Sequence, residues 1–147
     1  MVGISESVWL NARPERVWSY IVEPEKLAQW LTEMHHIEWQ AEGPIRVGSR
    51  YAVDKEIRGH VRRYRCEVTQ FEENRLFGFT SEAPGFSCVE GGWELVPEGN
   101  GCRLAMRETI TTHTGWLIER LFVQPGASRA LRGFQARLKQ LLEGQDV

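Results

Sequence analysis

Six stretches between His36 and about Thr112 alternate apolar and polar residues, and each ends at a turn signal; this run restricts the fold more than any other feature. They are Ile37-Glu38-Trp39, ending near Gly43-Pro44, then Tyr51 to Ile57, and Tyr64 to Val68 with Glu73-Asn74 as turn. Leu76 to Glu82 follows, closed by Pro84-Gly85, then Val89 to Leu95, and Cys102 to Ile110. The sequence Pro97-Glu98-Gly99-Asn100-Gly101 between the last two is a strong hairpin signal. Ile4 to Leu10 alternates in the same way and adds a strand at the start of the chain. Consecutive strands with turns this close together read as an antiparallel meander.

Helical spacing flanks that run. Pro14 and Pro24 each open a short helix, the first carrying Val17, Trp18 and Ile21, the second Leu27, Trp30 and Leu31. Near the end, Ala127, Ala130, Leu131, Phe134, Leu138, Leu141 and Leu142 form one apolar stripe, with Gly144 as its expected C-cap. Pro125-Gly126 is expected to separate this helix from a shorter helical stretch, Trp116 to Val123. A seven-stranded curved antiparallel sheet can bury one face against the long helix, which is an α+β arrangement with a hollow between the layers.

Composition narrows the class. The chain has 147 residues, suited to one domain spanning 1–147, and contains no linker, repeat or low-complexity segment. A net charge of −2 gives no electrostatic reason to expect nucleic acid or an anionic membrane. No apolar run reaches the roughly 18–20 residues of a membrane-spanning helix. The N-terminus lacks the pattern of a signal peptide, and Cys66, Cys88 and Cys102 have no C-x-x-C spacing, so reduced thiols in the cytoplasm are expected. The 18 basic residues divide into fifteen arginines and three lysines, a hint of a GC-rich bacterial source.

The ordered motifs resemble one superfamily. They are Val8-x-Leu10-x-Ala12-x-Pro14-Glu15-x-Val17-Trp18 with Pro24-Glu25 and Trp30, then Val47-Gly48-Ser49-Arg50-Tyr51. Next come Trp93-Glu94-Leu95-Val96-Pro97 with Gly101-Cys102-Arg103-Leu104, and last Leu138-Lys139-Gln140-Leu141-Leu142-Glu143. The set is similar to that of the START-like, Bet v 1-like (SRPBCC) proteins, in particular the polyketide cyclase/dehydrase and lipid-transport group. Cys102 stands where members more often show threonine. The resemblance implies a helix-grip fold, a curved sheet wrapped around the long C-terminal helix with two short helices after the first strand. It also implies a deep apolar cavity for hydrophobic small molecules.

Candidate site residues follow from strand phase. Trp39, Tyr51, Tyr64 and Trp93 on strands, with Phe134 on the helix, are expected walls of a ligand pocket. Glu108, between Met106 and Ile110, and Glu6, between Ile4 and Val8, fall in the interior phase. A carboxylate in an apolar cavity can act as general acid or base for an aldol-type closure or dehydration. The blander alternative pairs each with an arginine. Lys55 is also interior by phase, and either enters the cavity or snorkels outward. His113, after the last strand, is expected near the cavity mouth. His35 and His36 would point to opposite faces of an extended segment, and the four histidines have no metal-ligand spacing.

No metal and no cofactor is expected. The function expected is binding of a hydrophobic or polycyclic small molecule, with a cyclase/dehydrase activity as its catalytic form. The alternatives are a non-catalytic lipid or small-molecule carrier, and a co-chaperone-like interaction module. The last would have a filled core and an apolar surface patch.

Overall fold

The computed structural model describes residues 1–40 and 42–144. The chain runs β1 (Val2–Leu10), α1 (Pro14–Val22), α2 (Pro24–Trp30), β2 (Met34–Trp39), β3 (Arg50–Ile57) and β4 (His60–Glu72). It continues through β5 (Leu76–Ala83), β6 (Ser87–Glu98), β7 (Gly101–Thr112), α3 (Trp116–Ile118), a π-helical turn (Glu119–Val123) and α4 (Gln124–Glu143). The seven strands form one antiparallel sheet in the order β1-β7-β6-β5-β4-β3-β2. Every neighbour except β1–β7 is consecutive in the chain, as the meander reading requires.

Period-2 alternation selects one face of the sheet for the core. Val89, Trp93 and Leu95 on β6, and Cys102, Leu104, Met106 and Ile110 on β7, are all buried. The helix α4 closes that face through Leu131, Leu138 and Leu142, and packs most extensively along β1. Two short α-helices meet at Glu23, because Pro24 cannot continue α1 but starts α2 well. Trp30 is fully buried at the end of α2, and its indole N–H donates to the Tyr20 carbonyl (2.8 Å), which pins the bend.

Two local expectations change. Pro125 does not break the C-terminal helix, and the chain stays helical from Trp116 to Glu143. Proline lacks the N–H that would bond the Leu121 carbonyl, and its ring crowds that oxygen, so the preceding turn widens to π spacing. The histidine pair also sits otherwise than expected. A bulge between His35 and Glu38 interrupts the β2–β3 pairing, and His36 takes φ 51°, so the segment is not simply extended. Both rings are exposed, and His35 lies 3.4 Å from Glu56.

Candidate ligand-binding site

The sheet register brings the chemistry-bearing residues into cross-strand rows on the core face. One row runs Trp39, Tyr51, Cys66, Ser81 and Val89; the next runs Val68, Phe79, Gly91, Glu108 and Ile4; a third holds Phe77, Trp93 and Met106. Facing them across the interior are Ala127, Ala130 and Phe134 of α4, with Ile21, Leu27 and Leu31 from the α1–α2 region. Between these layers lies a cavity of about 180 Å³. Small side chains keep it open: two alanines on the helix side, a cysteine and a serine on the floor.

Aromatic rings build most of the wall. Phe79 stands edge-on to Trp93 with centroids 5.4 Å apart, Trp30 backs Trp93 at 5.7 Å, and Trp39 leans on Tyr51 at 4.6 Å. Gly91 is required here by close approach. A Cβ at that position would lie 2.6 Å from the Phe79 ring and 3.1 Å from Cγ of Glu108. Glycine thus lets the phenylalanine lie flat on the sheet beside the carboxylate.

The wall carries a small polar group. Lys55 crosses the face of Tyr64, its Nζ 4.3 Å from the ring centroid, and donates to Ser81 Oγ at 3.0 Å. The Cys66 thiol donates to the same oxygen at 3.3 Å, and Tyr64 bonds Ser87 through its hydroxyl. Glu108 accepts from the Trp93 indole N–H at 3.3 Å. Burial pushes the Glu108 carboxyl above the usual range, against the pull of the Lys55 charge and the indole bond. Burial likewise lowers Lys55, while Cys66, Glu108 and Glu33 oppose the shift. Tyr51 is held well above its ordinary value, first by burial and then by neighbouring Cys66. Glu33, exposed yet part of the lining, marks the rim between α2 and β2; burial and then the Glu56 charge raise it.

The residues singled out from sequence divide in two. Trp39, Tyr51, Trp93, Phe134 and Glu108 line the cavity. Tyr64 lies beneath Lys55 rather than on the lining, His113 packs against Phe86, and Glu6 sits elsewhere on β1. Glu6 accepts from Ser128 Oγ at 2.6 Å and from Arg132 at 2.8 Å, so it ties α4 to the sheet. The Ser128 bond, then Arg132, holds its carboxyl below the usual range despite partial burial. Lys55 turns inward. Strand phase places it on the interior side, but phase alone cannot tell an inward ammonium from one that snorkels. Ser81 and Cys66 carried no sequence signal beyond alternation.

A family model described as polyketide cyclase/dehydrase and lipid transport matches residues 1–143. Among solved structures, a START superfamily protein from Mycobacterium smegmatis is similar at TM-score 0.78 and 20% identity, covering 97% of this chain and 98% of that one. The di-domain ARO/CYC protein StfQ of the steffimycin biosynthetic pathway is similar at TM-score 0.78 and 14% identity, over 99% of this chain and 52% of that one. Ara h 8.0201 is similar at TM-score 0.74 and 14% identity, over 97% and 98% of the two chains. At these identities the structural likenesses establish the fold. A search of curated protein sequences returned no match.

Proposed function

We propose, from the premise that the chain belongs to the polyketide cyclase/dehydrase and lipid-transport family, that it holds a hydrophobic small molecule between its sheet and α4. The observation that carries this reading is the aromatic-walled cavity, in which apolar surface supplies affinity and a few polar groups supply orientation. The net charge of −2 supports a small molecule rather than a polyanion as partner. Three cysteines without disulfides support a reducing compartment such as the cytoplasm.

A catalytic form of the reading rests on Glu108. Of the two carboxylates nominated from sequence it is the one on the cavity lining, and its raised carboxyl suits proton transfer to or from a bound ligand. Aldol-type closure or dehydration would then proceed mainly by constraining the substrate, with Glu108 moving the proton. The interaction-module alternative has one observation in its favour. Trp116, Leu117, Ile118, Leu121 and Phe122 are all exposed, an apolar surface run of the kind that marks contact sites. That alternative also expects a filled core, and the cavity ranks it second.

The test is a tryptophan-fluorescence titration against fatty acids, isoprenoids, flavonoids and polycyclic aromatics, with Ala130→Leu as the cavity-filling control. Trp39 and Trp93 line the site and Trp30 touches Trp93, so occupancy should change emission. Saturable binding of one class, weakened in the control, supports the reading. Silence across all classes would refute it.

A further inference from the structure

The polar groups on the cavity wall are arranged to read one functional group. Lys55 has three N–H donors. One is used on Ser81 and another direction is occupied by the Tyr64 ring, which leaves donor capacity toward the hollow. On Glu108, Oε2 takes the Trp93 indole, while Oε1 has no hydrogen-bond partner among the described residues. No buried side-chain oxygen or nitrogen among those residues lacks a partner, so Oε1 keeps accessible surface, and Glu108 belongs to the cavity lining. Lys55 and Glu108 are close enough for each charge to shift the other, yet they form no ion pair within 4.0 Å. A donor and an acceptor thus face one small hollow without satisfying each other.

We propose that Lys55 and Glu108 together recognise a phenolic or enolic hydroxyl on a ligand of one or two rings, the hydroxyl oxygen accepting from Lys55 Nζ and its hydrogen donated to Glu108. A hydroxyl both accepts and donates, so it completes both sides at once. A carboxylate would satisfy Lys55 and confront Glu108, and an ammonium would do the reverse. Size sets the body of the ligand. An apolar cavity of about 150 Å³ takes one benzene ring, so 180 Å³ fits one substituted ring or a tight bicycle. The apolar remainder of the wall suits an aromatic or enolised ring better than a sugar.

This proposal rests on the cavity being a ligand site, and the experiment separates the two. Calorimetric titrations compare 4-methylphenol with 1,4-dimethylbenzene, which has nearly the same shape and no hydroxyl, and with 4-methylbenzoate. The phenol is expected to bind about tenfold more tightly than the hydrocarbon, since both of its hydrogen bonds are to ionisable groups. Lys55→Met and Glu108→Leu should each reduce that preference to about threefold or less. Far-UV circular dichroism and the thermal unfolding midpoint check that each variant is folded, and the phenol-to-hydrocarbon ratio is read within each variant. Equal binding of phenol and hydrocarbon, tightest binding of the benzoate, or a preference that survives Lys55→Met would overturn the hydroxyl assignment alone. No heat of binding from any of the three would overturn the cavity reading and the assignment with it.

Discussion

Replacing Gly91 by alanine tests whether the space beside Phe79 is open. The added methyl carbon would start 2.6 Å from the Phe79 ring, against the 3.4 Å at which ordinary contacts begin, so the ring must retreat by 3.4 − 2.6 = 0.8 Å. Phe77 and Trp93 hem it in at centroid distances of 6.3 and 5.4 Å, which leaves the cavity as the way out. A ring moving that far sweeps roughly 30 Å³, about the share of one water molecule. Overpacking in a filled core costs about 1–3 kcal/mol, and a yielding site belongs at the lower end. Alanine also returns roughly 0.4–1 kcal/mol by restricting the unfolded chain, and Gly91 has no left-handed φ to forbid it. The net loss expected is therefore about 1 kcal/mol, a urea midpoint lower by roughly 0.5 M. Binding of 2-naphthol, a two-ring probe, should weaken about tenfold because the hollow has shrunk. A stability loss above about 3 kcal/mol would mean that the ring has nowhere to go. Unchanged stability and unchanged affinity would mean that Phe79 is not displaced; either result refutes the argument.

Two pH-dependent predictions follow from the carboxylates, with opposite signs. Burial holds the Glu108 carboxyl above the 4.5 of the unfolded chain, so ionisation of Glu108 costs stability as pH rises from there through the folded value. Glu108→Gln should track the wild type below pH 4.5 and become relatively more stable above it, read as the difference in Tm from pH 3.5 to 8. A difference moving toward the wild type would contradict the assignment. Glu6 works the other way: its lowered carboxyl contributes stability that is present above about 4.5 and is lost as pH falls through the folded value. Arg132 is largely exposed, so solvent screening limits the loss in Glu6→Gln to about 0.5–1 kcal/mol at pH 7. Chemical denaturation should show that loss shrinking below pH 4.5, and a constant loss at all pH values would deny Glu6 its ionic role.

Much of this architecture follows from local patterns along the chain. Alternation such as Cys102, Leu104, Met106, Glu108 and Ile110 assigns side chains to one face, because strand geometry turns each successive residue to the opposite side. The prolines at 14 and 24 locate the two short helices for an equally local reason. Continuity of the helix through Pro125 is not legible in the sequence, since proline removes one hydrogen bond but a π turn can absorb the loss. Glu108 was identifiable as inward-facing, and so was Glu6, yet the two end in different surroundings.

That difference has a physical origin. Phase along a strand says which face a residue takes, whereas its neighbours depend on strand order and on where α4 crosses. Glu6 meets Ser128 and Arg132, 122 and 126 residues away, and becomes a tie between sheet and helix. Glu108 meets Trp93 and opens onto the hollow. Lys55 reaches Ser81 across the ring of Tyr64 because β3, β4 and β5 lie side by side in one register. The cavity volume is the quantity furthest from the one-dimensional pattern. It is what remains when alanines of the helix face small residues of the sheet, so it exists only once both layers are assembled.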